Sequence, residues 1–239
     1  MTLRIITGFL LFISLIFTCP TQASNNKEEV AAFFAKQALF KNLSMSPDGK
    51  YIAAIVPKPY TSNLVIIERA TRKPIQAFGF GHKKHIGKFR WLSNNRVLYT
   101  KSYETDDSES KGSYGEIFAS NIDGSKKIQL FGYTDEKSKL RSKRGLRASA
   151  SILSVLPDDP NHILVKSRKW GNDSDEPTKL FKINIFNKKR KLITTTPHGN
   201  MNIVVDNNGH PIIASAKDRM GQKKKYWFIE GEWQLINDN

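Results

Sequence analysis

Residues 45–57, MSPDGKYIAAIVP, run from an apolar strand end through a tight turn into a second strand. Pro47 and Asp48 occupy turn positions and Gly49 supplies a residue that tolerates positive φ. Tyr51 to Val56 is then apolar on both parities, as an inner strand buried on both faces would be. This pattern returns three times, as WLSNNRVLYT from Trp91, VLPDDPNHILVK from Val155 and VVDNNGHPIIAS from Val204. Each copy has an apolar strand end, an Asn/Asp-rich turn, a basic residue or histidine, and a renewed apolar strand. Lys50, Arg96, His162 and His210 align at the turn exit, with spacings of 46, 66 and 48 residues.

A second hairpin follows each first one. NLVIIERATRKPIQAF turns at Ala70 to Lys73, and GEIFASNIDGSKKIQLF turns at Ile122 to Ser125, where Asp-Gly is a strong hairpin signal. KLFKINIFNKKRKLITT turns at Asn187-Lys188 and KYWFIEGEWQLI at Glu230-Gly231. The chain therefore holds four successive units of four strands. Units of about 40–50 residues built from four strands are the mark of β-propeller blades. The long middle spacing comes from two polar insertions, YETDDSESKGSYGE and TDEKSKLRSKRG, both read as loops. An irregular sandwich of about 16 strands is the competing architecture, and regular repetition argues against it. The expected fold class is all-β: four four-stranded blades over 43–239, forming an incomplete or open propeller.

The segment before the blades is different. Met1 to Arg4 is a basic start, Ile5 to Phe17 is apolar, and CPTQAS follows, a pattern expected of a secretory signal peptide over 1–23 cut after Ala23. The apolar run falls short of the about 20 residues that a membrane span requires. Cys19 raises a lipoprotein alternative, which Phe17-Thr18 disfavours. Residues 24–42 are expected to hold a short amphipathic helix and a lead-in, with Val30, Phe33, Phe34 and Ala38 on one face. Asn26 and Glu29 have capping-box-like spacing. The only cysteine leaves with the signal, which excludes disulfides and thiolate metal sites from the mature chain. The expected location is periplasmic or secreted.

The formal net charge is +16. Basic residues cluster in KSKLRSKRGLR at 137–147, NKKRK at 187–191 and QKKKY at 222–226, all turns or loops. No zinc finger, basic zipper or RNA-binding sheet motif accompanies them, so no nucleic-acid partner is expected. Solvated loop charge is the plain reading, with anionic membrane surface or acidic partners next.

The helix and first blade together, VAAFFAKQALFKNLSMSPDGKYIAAIVP, resemble the start of bacterial exported members of the prolyl oligopeptidase family, the acylaminoacyl-peptidase and dipeptidyl-peptidase-like group. GKFRWLSNNRVLY, YGEIFASNIDGSKKIQL and LPDDPNHILV extend the resemblance, which covers about 28–236, all propeller. In those enzymes the propeller is a lid that admits short or unfolded peptides to an α/β-hydrolase domain. The nucleophile elbow of such a domain, Gly-x-Ser-x-Gly, is matched here only by a near miss at Ser113, with Lys111 in place of the first glycine. The resemblance thus implies a non-catalytic gating segment, truncated or separated from its catalytic domain. The alternative is a stand-alone exported binding module for a protein, peptide or envelope ligand. Either partner set fits: a peptide or protein ligand with a separate or missing hydrolase domain, or self-association through exposed terminal blades.

Other chemistry is weakly indicated. His82 and His85 in GHKKHIG have a spacing seen in metal sites, but flanking lysines oppose a cation and no third ligand is indicated. His162 and His210 are explained by repetition. Asp106, Asp107 and Glu109, and Asp173, Asp175 and Glu176, form acidic loops that lack the calcium-loop pattern. Trp91 reads as a blade-strand residue, and Trp227 and Trp233 as facing each other across a hairpin. Trp170, in the loop RKWGNDSDEP, is the one tryptophan placed to touch a ligand. No catalytic, cofactor-binding or metal residue is assigned, and no cofactor is expected.

Overall fold

The computed structural model describes residues 39–105, 108–132, 147–171, 175–217 and 220–236. The expected signal segment and the helix carrying Phe33 and Phe34 lie outside the described residues, as do Asp106, Asp107 and Asp173. The described chain is built of β-strands and turns, with no helix among the described residues.

Four antiparallel sheets follow one another along the chain. Blade 1 comprises β1 (Lys41–Met45), β2 (Tyr51–Lys58), β3 (Thr61–Glu68) and β4 (Pro74–Phe78). Blade 2 comprises β5 (Lys84–Ser93), β6 (Arg96–Thr105), β7 (Ser108–Gly112), β8 (Ile117–Asn121) and β9 (Ile128–Phe131). Blade 3 holds β10 (Ala148–Val155), β11 (His162–Lys169), β12 (Pro177–Asn184) and β13 (Arg190–Gly199). Blade 4 holds β14 (Asn202–Val205), β15 (Pro211–Lys217), β16 (Lys223–Ile229) and β17 (Glu232–Leu235). In every blade the strands pair in sequence order, apart from β7, which adds to β6 beside the main path.

The repeated turns explain the repeated hairpins. In blade 1 the Gly49 amide donates to the Ser46 carbonyl at 2.8 Å, with Gly49 at φ 70°. In blade 4 the Gly209 amide donates to the Asp206 carbonyl at 3.1 Å, with Gly209 at φ 87°. Carboxylates lock the same turns from the side: Ser46 Oγ donates to Asp48 at 2.7 Å, and the His210 amide donates to Asp206 at 2.7 Å. Side-chain bonds of this kind offer the backbone a turn in place of continued strand.

Packing between blades follows strand parity. In β6, Val97 and Tyr99 point towards blade 1 and join Ala53, Ile55, Leu64 and Ile66 in one buried cluster. Leu98, between them, points the other way and joins Ile117, Ile163, Val165 and Ile183 in the cluster shared with blade 3. In β11 the alternation repeats: Leu164 leaves that cluster to pack with Leu180, Met201, Ile203 and Tyr226 against blade 4. Burying each such side chain stabilises by about 1.5–3 kcal/mol, so three apolar layers hold four blades in a row. None of these clusters joins blade 4 back to blade 1. The outward face of blade 4 carries Val204 at 48%, Trp227 at 44% and Ile229 at 44% exposure. The molecule is an open propeller arc.

Two local expectations need correction. The insertion YETDDSESKGSYGE, read as a loop, contributes β7: β6 runs on to Thr105 and pairs back through Tyr103↔Gly112 and Thr105↔Ser108. A polar composition does not prevent a two-stranded ribbon whose backbone groups pair with each other. Trp227 and Trp233 do not face each other, because Trp227 pairs with Gln234 and Trp233 with Phe228. With a side-chain period of two, a one-residue offset sends them to opposite faces. Trp233 packs against the blade 3/4 cluster and donates from Nε1 to Thr194 Oγ1 at 2.9 Å, while Trp227 lies outside.

Candidate functional site

Two slots open between neighbouring blades on the side of the first strands, one on each side of β10. The slot between blades 2 and 3 encloses about 460 Å³. Lys88, Arg90, Thr100 and Ser102 line it from blade 2, and Ala150, Ser151 and Ile152 from β10. The slot between blades 3 and 4 encloses about 270 Å³, lined by Ser149, Ser151, Lys166, Arg168, Thr178 and Asn200 among others. Ala150 and Ser151 belong to both linings, so the two slots share a wall.

Their polarity follows from strand parity. Above the apolar residues of β6, the chain continues on the blade 3 side with Thr100 and Ser102 instead of aliphatic side chains. On β11, Lys166 and Arg168 continue the parity of Leu164, on the blade 4 side. Neither lining contains a carboxylate. Lys88, Arg90 and Lys166 make no ion pair among the described residues. Arg168 Nη1 donates to Asn200 Oδ1. Thr100 Oγ1 accepts from the Lys88 amide at 2.9 Å, which fixes the start of that lysine. Ser102 is buried, and its Oγ has no hydrogen-bond partner among the described residues. A recess lined by one sign of charge between apolar walls concentrates an opposite charge.

A loop closes the blade 2/3 slot at one end. Ser113 lines the slot, and its Oγ donates to the Lys101 carbonyl at 2.9 Å while accepting from the Gly115 amide at 3.2 Å. Gly115, at φ 81°, lies so close to β10 that a Cβ there would sit 2.1 Å from the Ala150 nitrogen. The loop's Tyr114 is exposed and meets exposed Trp170 edge-on, with centroids 5.7 Å apart. Trp170 follows β11 two residues after Arg168. The loop tryptophan singled out in the sequence therefore packs beside the loop that carries Ser113, and it lines neither slot.

The other candidate residues disperse. His85 is buried and bonds Glu104 at 2.8 Å, whereas His82 packs against the Tyr60 ring with centroids 5.5 Å apart. Among the described residues no group of three metal-ligating side chains is found. Asp175 accepts from the Gly199 amide at 3.1 Å and has His198 Nδ1 at 3.5 Å. The turn-exit residues divide in an instructive way. Lys50, His162 and His210 each face a carboxylate of their own turn, Asp48, Asp159 and Asp206. Hydrogen bonds from Ser46 to Asp48, from Lys182 and His162 to Asp159, and from the His210 backbone to Asp206 hold these carboxyls below their usual range. The blade 2 turn has asparagines instead, and Arg96 reaches across to blade 3. It donates to the Ile185 carbonyl at 2.7 Å and to Asn121 Oδ1 at 2.8 Å, and stacks on Phe186 at 4.6 Å. Burial lowers its pKa, and burial raises that of Tyr99 nearby.

The slot residues were missed in sequence because Lys88 comes from blade 2 and Ser151 and Arg168 from two paired strands of blade 3, so they form no local motif. Only the alternation of hydroxyl and basic residues along these strands could have signalled them.

No protein-family model matches the sequence, and no curated protein matches it. Solved propeller structures do resemble the fold. An oligogalacturonate lyase in complex with manganese matches with TM-score 0.51 at 11% identity, covering 83% of this chain and 54% of that one. The oligogalacturonate lyase of Vibrio parahaemolyticus matches with TM-score 0.51 at 11% identity, covering 84% and 55%. The acylaminoacyl peptidase of Pyrococcus horikoshii gives TM-score 0.48 at 13% identity, covering 84% and 32%. The chain spans about half the length of the lyases and about a third of the peptidase. What is shared at these identities is the propeller fold.

Proposed function

We propose that this chain is an exported, non-catalytic propeller segment that binds an extended ligand across the first strands of blades 2, 3 and 4. The observation that carries the reading is the pair of adjoining slots around β10, open, bearing basic and hydroxyl side chains, and free of carboxylates. The backbone bonds of Ser113 support the non-catalytic part, since its hydroxyl proton is committed to the Lys101 carbonyl and is not offered to a base. Hydrogen exchange on the full chain, with and without a mixture of extended peptides and oligosaccharides, tests the binding role. Protection at Ser149–Ile152 is expected; unchanged exchange there overturns it. Covalent labelling by a fluorophosphonate probe, lost in Ser113→Ala, would overturn the non-catalytic reading.

A gating role rests on the ordered sequence resemblance to oligopeptidase propellers. In that arrangement the ligand is a peptide passing to a separately supplied α/β-hydrolase domain. Its check is a hydrolase whose selectivity between short and folded substrates changes when this chain is added. Export is tested by mass spectrometry of the mature protein, expected to begin at Ser24; retained Met1 or a lipid on Cys19 would contradict it.

A further inference from the structure

We infer that the paired slots take a linear acidic oligosaccharide, with one carboxylate held in each slot and the sugar hydroxyls facing the serines and threonines between them. The inference rests on the binding role proposed above and names the ligand class for that site. Three features of the slots converge on it.

Charge comes first. Lys88 and Arg90 flank one slot and Lys166 and Arg168 the other, with no carboxylate in either lining. The blade 1/2 side shows that this is not simply a consequence of a basic chain. There Lys101 meets Glu116 at 3.2 Å, so a cation placed at that interface is neutralised within the fold. Hydroxyls come second. Ser102 lies almost wholly buried in the wall of the larger slot, and its Oγ has no partner among the described residues, an arrangement that costs free energy unless something bonds it. The hydroxyl of exposed Ser151, on the shared wall, has no partner among the described residues. These are the groups that recognise a polyol. The third feature is the aromatic pair at the loop that carries Ser113. Tyr114 and Trp170 present exposed rings beside Ser113 and Arg168, amphipathic surfaces of the kind that pack against the apolar face of a sugar ring.

Two slots also set a length. Packed sheets lie about 10 Å apart, so cations of successive blades are separated by about one such spacing. A single uronic acid fills one slot only, and a chain of several reaches both. An acidic peptide meets the charge requirement and its backbone can bond the hydroxyls, but it brings no sugar ring to the Tyr114–Trp170 pair.

Calorimetry and hydrogen exchange on the full chain decide the matter, with a hexuronic acid trisaccharide as probe. A neutral trisaccharide, the hexuronate monomer, inorganic phosphate and a glutamate-rich peptide are the comparison arms. The trisaccharide is expected to bind with at least about tenfold higher affinity than each comparison arm, and to protect amides at Ser149–Ile152. Lys88→Gln and Lys166→Gln, in different slots, should each weaken it about tenfold, the loss of one charged contact. Lys191→Gln, in β13 and in neither slot lining, should leave it unchanged. Equal affinity for the monomer or the neutral sugar overturns the inference, as does a Lys191→Gln effect as large as that of Lys88→Gln. If the peptide alone protects β10, the ligand class falls and the binding role stands; if no probe protects β10, both fall.

Discussion

Blade 2 has two faces, and they are built on different chemistry. Towards blade 1 it presents Tyr99 and Phe118, which with Phe78 and Phe80 form an aromatic layer; Tyr99 stacks on Phe78 with centroids 5.3 Å apart. The cation at that layer, Lys101, is matched by Glu116. Towards blade 3 the layer is mainly aliphatic, with Phe131 and Phe181 its aromatic members, and the cation at its edge is Arg96, which is matched by carbonyls. The first interface satisfies its charge by pairing. The second does so by tying backbone to backbone across two blades, and leaves the cations of the adjacent slot to solvent. The same sheet therefore seals one side and leaves the other available to a ligand.

The sharpest way to break this contrast is Arg96→Ala. It removes hydrogen bonds to Asn121 and Ile185 and leaves buried acceptors unpaired, so a loss of about 3 kcal/mol is expected from urea unfolding. Both variants remove the Arg96 Nε, which is buried with no partner among the described residues, and Arg96→Met should lose less because its longer side chain fills more of the space that alanine leaves empty. A loss below about 0.5 kcal/mol for Arg96→Ala would mean that the two faces do not differ in this way.

Tyr99→Phe probes the opposite face, where the polar atom contributes nothing. The Tyr99 hydroxyl is buried without a partner, so its removal should raise stability by about 1 kcal/mol. Destabilisation by that amount would reveal a partner for the hydroxyl. Trp233→Phe extends the comparison to the third interface, where the indole of blade 4 bonds Thr194 of blade 3. About 1 kcal/mol should be lost, close to the value of one hydrogen bond, read as a shift in denaturation midpoint with unchanged slope.

The smallest effect is on acidification. The hydrogen bonds to Asp48, Asp159 and Asp206 hold their carboxyls below the ordinary aspartate value in the folded chain. Their contribution is complete above the unfolded value and is lost as pH falls through the lower folded value. Amide exchange at the turns of blades 1, 3 and 4, corrected for its intrinsic pH dependence, should therefore accelerate below about pH 3.8, while the asparagine turn at Asn94-Asn95 does not respond. Equal acceleration at all four turns would refute the division between them.

Much of the architecture was legible because turn chemistry is local. Asp48-Gly49, Asp123-Gly124 and Glu230-Gly231 mark hairpins by the backbone angles they allow, and their regular recurrence exposed the blades without any knowledge of packing. Parity was less secure. Whether Trp227 faces in or out depends on which residue it pairs with, and an offset of one between Gln234 and Trp233 reverses the answer. The β7 ribbon was missed since its polar residues show no alternation for a core to select. Of the candidate site, Trp170 was visible as an aromatic in a polar loop. Lys88, Ser102, Ser151 and Arg168 were not, because they meet only when separate sheets stack.

The alternation along β6 and β11 also determines how the gene can change length. Each of these strands supplies odd residues to one apolar layer and even residues to the next. Loss of a single codon within either would exchange the two sets and spoil both layers together. In β17 the outward side chains touch no further blade, so the same deletion would disturb one layer. Indels should accordingly survive in the polar connections and the last strand of the arc, and be eliminated from the middle strands of the inner blades.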